Sequence, residues 1–281
     1  MTTPVRDQYG RPPAAGPAPL PASAFDAHCH LDLVLGPVAD VLAAAAAAGI
    51  TRVVTVGTDL PSCYLAVTTA ADHDPVYAAV AIHPNETAKA ADRAGVLEEG
   101  VLGELAELAA LPQVRAVGET GLDYYWDDAP HSLQQDWFRA HIALAKQIAK
   151  PLMIHDRDAH EDILRILAEE GPPETVIFHC FSGDAELAKR CVDAGYLLSF
   201  AGVLTFSNAA QLREAAAITP PGQLLAETDA PFLTPVPNRG KSNSPAQVAH
   251  TIRALAAIKE LDVAELCAIL QATGQRVFGP W

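Results

Sequence analysis

Basic residues are scarce in this chain. Nineteen Lys and Arg stand against 34 Asp and Glu in 281 residues, a formal net charge of −15. Such a balance argues against a protein that coats duplex nucleic acid, because neutralising phosphates requires clustered cations. A phosphate-bearing substrate would need local positive charge. Cysteine is also sparse: Cys29, Cys63, Cys180, Cys191 and Cys267 are odd in number and form no CxxC. Neither a disulfide framework nor a thiolate zinc site is indicated, and the five are expected to be small core fillers. No apolar run approaches the ~18 residues of a membrane span; the longest candidate, VLAAAAAAGI, reads as a buried helix end. The first residues carry Arg but no apolar stretch before a cleavage site. The expectation is therefore a soluble, cytoplasmic protein without a membrane partner and with no stable protein partner inferred. Also missing is any GxGxxG or GxxxxGK[ST] loop after the first strand, which weakens a nucleotide-binding doubly wound sheet.

Half of the residues are apolar, enough for the full core of one large domain. Pro4, Pro12, Pro13, Pro17, Pro19 and Pro21 crowd the first 24 residues, which offer little to bury; residues 1–24 are expected to be a disordered extension and 25–281 a single catalytic domain. From Phe25 onward, short β-branched or apolar runs alternate with Ala- and Leu-rich helical stretches, the pattern of repeated βα units around a parallel sheet. Eight strand candidates cover 24–30, 51–57, 76–83, 114–120, 151–156, 175–180, 196–202 and 223–229. Seven helices fit between them, among them 184–195, with Asp184 placed to cap its start and Gly195 its end, and helices follow at about 245–258 and 263–272. This is an α/β chain whose leading fold is a (β/α)₈ TIM barrel. A doubly wound open sheet is the alternative.

On the first of these strands the segment HCHLD places His28 and His30 two residues apart, so both face one side while Cys29 faces the other. Glu119 ends the fourth strand, His155 the fifth, His179 the sixth and Asp229 the eighth. In a barrel all six groups crowd the C-terminal mouth, where such enzymes build their sites. Taken singly, a strand-end histidine such as His83, His155 or His179 reads as a hydrogen-bonded structural residue. Four buried imidazoles with two buried carboxylates are costly, however, unless paired or metal-bound. They exceed the three protein ligands of a typical catalytic zinc, so two divalent ions are expected, with Glu119 bridging them. His28, His30 and Asp229 would hold one ion, and His155 and His179 the other. A water between the ions would be the nucleophile, and Asp229 the general base. Two carboxylates and two divalent ions leave the site at about +2, within screening range of an anionic ester. Zn²⁺, Mn²⁺ and Mg²⁺ all suit this mixed imidazole and carboxylate set.

The segments DAHCHLD, AIHPNE, VGETGLDYYW, PLMIHDRDA, FHCFSG, ETDAPFLTP and RGKSNSP, in this order, resemble the TatD family of metal-dependent deoxyribonucleases from about Phe25 to Phe278. The resemblance implies an amidohydrolase-like barrel that cleaves phosphodiester bonds of DNA, often from a 3′ end, with DNA ends or short single strands as substrate. By motif position it implies metal ligands at His28, His30, Glu119, His155, His179 and Asp229, the six groups already selected. It also implies phosphate contacts at His83 and Arg157, although His83 also reads as structural and Arg157 as a partner of Asp156, Asp158 or Glu161. Arg239 and Lys241, in the loop after the last strand, are further substrate-binding candidates or ordinary surface cations. Glu227, one layer below Asp229, is expected to orient a ligand. Tyr124, Tyr125 and Trp126 suit either base stacking or lid packing. Ala81 stands where the family has Gly, and Ser207 where relatives often carry a base. Two other readings stay open: a related barrel enzyme, either a hydrolase of a lactone, amide, small ester or phosphotriester or a mononuclear deaminase, and a non-catalytic metal-stabilised binding protein.

Overall fold

Eight runs of small and β-branched residues form eight parallel strands, each pairing with its sequence neighbour in the order β1 to β8. The computed structural model describes residues 6–280. The strands are β1 (Ala24–Cys29), β2 (Ile50–Gly57), β3 (Val76–Val80), β4 (Val114–Asp123), β5 (Leu152–Arg157), β6 (Val176–Phe178), β7 (Leu197–Phe200) and β8 (Leu224–Ala226). Seven helices alternate with them: α1 (Val38–Ala47), α2 (Leu60–Asp72), α3 (Glu99–Ala110), α4 (His131–Ile148), α5 (His160–Glu170), α6 (Ala185–Asp193) and α7 (Ala210–Ile218). Two more, α8 (Val248–Lys259) and α9 (Val263–Phe278), follow β8. The fold is the expected TIM barrel. Among the described residues, no helix is long and apolar enough to cross a membrane.

Local chemistry explains the elements. Asp184 caps α6 by accepting from the Leu187 amide at 2.9 Å, and the chain leaves the helix through Gly195 at φ 81°, a left-handed conformation that glycine adopts without a side-chain clash. Helix α4 buries Leu133, Trp137, Phe138, Ile142 and Ala145, a helical stripe facing the sheet. Each large side chain so buried contributes ~1.5–3 kcal/mol. All five cysteines are free; Cys29, Cys63, Cys191 and Cys267 are buried as small core residues, whereas Cys180 is only partly buried.

The ring closes between β8 and β1 just past the end of β8. The Asp229 amide donates to the His28 carbonyl at 2.9 Å and the His30 amide to the Ala230 carbonyl at 2.8 Å. Beneath them the buried Asp26 carboxylate accepts from the Thr228 amide at 2.8 Å and from its hydroxyl. This pair clamps the two strands together where ladder bonds run out. Closure therefore sets the spacing of His28, His30 and Asp229.

The disordered extension expected over residues 1–24 is corrected for residues 6–24, which form a strap against the loop after β8; residues 1–5 lie outside the described residues. Ser242 donates to the Pro12 carbonyl at 2.7 Å and accepts from the Ala14 amide at 3.2 Å. The side chains of Asn238 and Gln247 both donate to the Ala15 carbonyl, at 3.0 and 2.9 Å. A proline-rich backbone has few donors but keeps every carbonyl, and the barrel supplies the donors.

Candidate metal centre

Strand β1 turns His28 and His30 inward, with their Nε2 atoms 3.3 Å apart. Strand β4 brings Glu119 beside them. Gly118 permits this approach, since a Cβ there would lie 2.5 Å from the Cβ of Met153 on β5. Glu119 Oε2 is 3.5 Å from His28 Nε2 and 3.9 Å from His30 Nε2. Its other oxygen, Oε1, is 2.7 Å from His155 Nδ1 and 2.6 Å from His179 Nε2. Asp229 Oδ1 completes the first group, 3.4 Å from His30 Nε2 and 3.7 Å from His28 Nε2. All six predicted groups thus meet at one end of the barrel, with a single carboxylate spanning two imidazole pairs.

The far sides of the rings set which nitrogen faces inward. Val56 carbonyl lies 2.9 Å from His30 Nδ1 and can only accept, so Nδ1 carries hydrogen and Nε2 presents its lone pair to the site. Glu227 Oε1, 3.2 Å from His179 Nδ1, fixes that ring the same way, and it also accepts from the Cys180 amide at 2.8 Å. Glu227 is fully buried, and its Oε2 has no hydrogen-bond partner among the described residues. Glu227, expected to orient a ligand, is placed against the far side of His179. Asp123, two turns of the pleat beyond Glu119, lies 3.1 Å from His155 Nε2 and accepts its hydrogen, which leaves the lone pair of Nδ1 facing the site. Asp123 is not among the groups expected from the sequence, although a period of two from Glu119 through Gly121 points to it. Asp123 and Glu227 raise the carboxylates that contact the imidazoles to four, so a pair of divalent ions here would be offset to about zero rather than +2.

Charge settles accordingly. Burial opposes ionisation of Glu119, yet the surrounding His179 and His83 hold its carboxyl well below the ordinary range. Burial also opposes charge on His30, but Asp229 overcomes it and lifts the imidazole to about 9. For His179, burial is likewise overcome by Glu119 and Glu227, which raise it well above its usual value. Facing Nε2 atoms at 3.3 Å repel one another unless a proton or a cation lies between them, so this donor set fits divalent metal. Among the described residues, three groups of three bring their ligand atoms close enough to hold an ion: His28, His30 and Glu119; His28, His179 and Glu227; and His83, Glu119 and His155.

A cavity of about 720 Å³ opens over the six groups and is lined by His30, His83, Trp126, Arg157, Asp229 and Phe232 among others. His83 Nδ1 accepts from the Asn85 amide at 3.1 Å, so its neutral ring carries hydrogen on Nε2, 3.4 Å from Glu119 Oε1. Arg157 does not take the carboxylate partners weighed for it. Its guanidinium lies over Tyr125, 3.8 Å from the ring centroid, while Glu161 pairs with Arg190 and Asp156 with His160. Tyr124 turns away, donating to Asp162 at 2.7 Å and stacking on His131. Tyr125 and Trp126 stay half-exposed. Arg239 covers Phe206 and Lys241 reaches Asn238; neither lines the cavity.

The TatD related DNase family matches residues 25–279. An uncharacterized metal-dependent hydrolase, TatD, of Mycobacterium tuberculosis is 48% identical over 265 residues, covering 90% of this chain and 97% of its own. The uncharacterized metal-dependent hydrolase YabD of Bacillus subtilis is 41% identical, covering 90% and 98%. Among solved structures, the TatD homologue YjjV of Escherichia coli superposes with a TM-score of 0.82 at 28% identity, covering 92% of this chain and 98% of that one.

Proposed function

This chain belongs to the TatD family of metal-dependent hydrolases, and from that membership we propose that it is a deoxyribonuclease acting on phosphodiester bonds at the ends of short single strands, with two divalent ions of Zn, Mn or Mg. The observation that carries this reading is the division of Glu119, one oxygen facing His28 and His30 and the other facing His155 and His179. That is the arrangement a bridging carboxylate needs between two cations, a pairing suited to displacement at phosphorus. His28, His30, Glu119 and Asp229 would hold one ion, and Glu119, His155 and His179 the other. When bound, the ions supply Lewis-acid charge and bring the pKa of water toward neutrality.

The chain's own residues supply the rest. Asp229 is the more solvent-open of the two carboxylates among the six groups, at 14% side-chain exposure against 5% for Glu119, and it lines the cavity. It accepts the proton of the water that attacks phosphorus as the bond to the leaving oxygen breaks. His83 Nε2–H donates to a non-bridging phosphate oxygen, and Arg157, held on Tyr125, adds a cation at the rim. Trp126 and Tyr125 present half-exposed rings to bases, which suits a single strand rather than a duplex.

The test is elemental analysis of the purified protein with an activity screen on 3′-labelled single strands, a phosphotriester and a lactone. Two ions per chain with shortening of the labelled strand is the expected result. Turnover of only the lactone or phosphotriester would move the chain to a related hydrolase, and two ions with no turnover to a binding role.

A further inference from the structure

The strap carries an aromatic residue to the edge of the mouth. Asp7, itself buried, accepts from the amides of Tyr9 and Arg11 at 3.0 and 2.8 Å and from Arg11 Nε at 2.8 Å. These contacts lock the turn that displays Tyr9. The Tyr9 ring packs on Phe232 with centroids 5.7 Å apart, and Phe232 in turn lies 6.1 Å from His30. Tyr9 is therefore within about 12 Å of a candidate metal ligand. Its surface is still 53% exposed, and the Arg11 guanidinium sits 4.8 Å from its centroid. Strand order places this edge, beside β8 and β1, opposite the edge of β4 and β5 that carries Tyr125 and Trp126, just after β4, and Arg157, at the end of β5. The mouth is thus flanked on both sides by an aromatic ring paired with an arginine.

We propose that Tyr9 is a positioning residue that stacks a nucleobase of the single strand, opposite Trp126, and so sets the chain's affinity for substrates that extend beyond the scissile phosphate. The inference rests on the deoxyribonuclease reading. It concerns a residue outside the family-matched span, which begins at residue 25. A tyrosine ring suits the task because stacking on an aromatic face is tolerant of base identity and is worth ~1–3 kcal/mol per base.

The experiment uses the full-length, metal-loaded wild type, Tyr9→Ala and Tyr9→Phe, with steady-state kinetics on short single strands of increasing length and on bis(p-nitrophenyl) phosphate, a diester without bases. Tyr9→Ala is expected to raise KM about tenfold on strands long enough to reach the strap, with kcat unchanged. Tyr9→Phe restores KM, and the effect vanishes on the base-free diester. If wild type and Tyr9→Ala cleave strands with the same KM, or if KM rises equally on the base-free diester, Tyr9 has no positioning role although the nuclease reading stands. If the wild type hydrolyses the small diester and no DNA, both readings fall.

Discussion

Loading the metal-free protein with Zn²⁺ at pH 6 and at pH 8 tests the electrostatics of the site directly. His30 can serve as a ligand only through an unprotonated Nε2, and Asp229, 3.4 Å away, lifts its imidazole to about 9 in the metal-free state. Each bound ion on this side must then displace a proton. With a pKa of about 9, the unprotonated fraction rises about 90-fold from pH 6 to pH 8. Apparent affinity should rise by the same factor, equivalent to ~2.7 kcal/mol. An ordinary imidazole near 6.5 would give only about fourfold. Stability moves the opposite way: the proton held by His30 stabilises the metal-free fold fully below pH 6.5, and that contribution is lost as pH rises through about 9. The metal-free protein should therefore melt lower at pH 9 than at pH 7 through this group, whereas metal protection grows over the same interval. Competition with a chelating indicator, corrected for the indicator's own protonation, measures the affinities. A change of fourfold or less would refute the coupling between His30 and Asp229. Asp229→Asn should flatten the wild-type dependence toward that ordinary slope.

Three further outcomes follow from the geometry. Asp229→Asn, whose amide oxygen can still ligate, should retain bound ions by elemental analysis while the cleavage rate falls on the order of 10²-fold or more; an unchanged rate removes Asp229 from proton transfer. Glu119→Ala deletes the oxygens that face both imidazole pairs and should reduce occupancy from two ions per chain to one or none, so two retained ions would end the bridging assignment. Gly121→Ala forces a side chain onto the His155 carbonyl at a φ of +122°; strain and overpacking together should cost at least ~2 kcal/mol in urea unfolding, and a neutral substitution would mean that β4 and β5 do not approach as closely as described.

Most of this architecture was legible because two periodicities dominate it. Alternation along β1, carried one residue past its end at Cys29, placed His28 and His30 on one face, and the βα repetition placed Glu119 and His155 at the same end. The rule weakens where strands stop. Strand β6 ends at Phe178 and β8 at Ala226, short of the ends expected at 180 and 229. Cys180 and Asp229 then adopt left-handed conformations, with φ of 41° and 53°. Asp229 points at His30 because the chain turns there and its amide is held by the His28 carbonyl, not because it lies two residues past Glu227 on a strand. The face argument that groups these residues therefore applies only to part of the chain.

What composition hid was satisfaction by partners far away in sequence. Residues 6–24 bury little apolar area, and a proline-rich segment of that kind reads as unstructured. Its carbonyls nevertheless meet donors from Ser242, Asn238 and Gln247, and Arg253 adds bonds to Ala18 and Pro19 at 2.8 and 3.0 Å. Asp123 was hidden in the same way, since its meaning depends on His155 lying across the β4–β5 pair. Both cases bear on how an acidic chain would meet the anionic substrate proposed for it. With Asp123 and Glu227 beside Glu119 and Asp229, a pair of divalent ions would leave no excess positive charge, so on that proposal attraction for phosphate comes from the rim. There the cations are Arg157, on Tyr125, and Arg11, on Tyr9. Each is held against an aromatic ring, so charge and stacking surface arrive together on opposite sides of the mouth, and one of the two comes from the segment that composition left without a role.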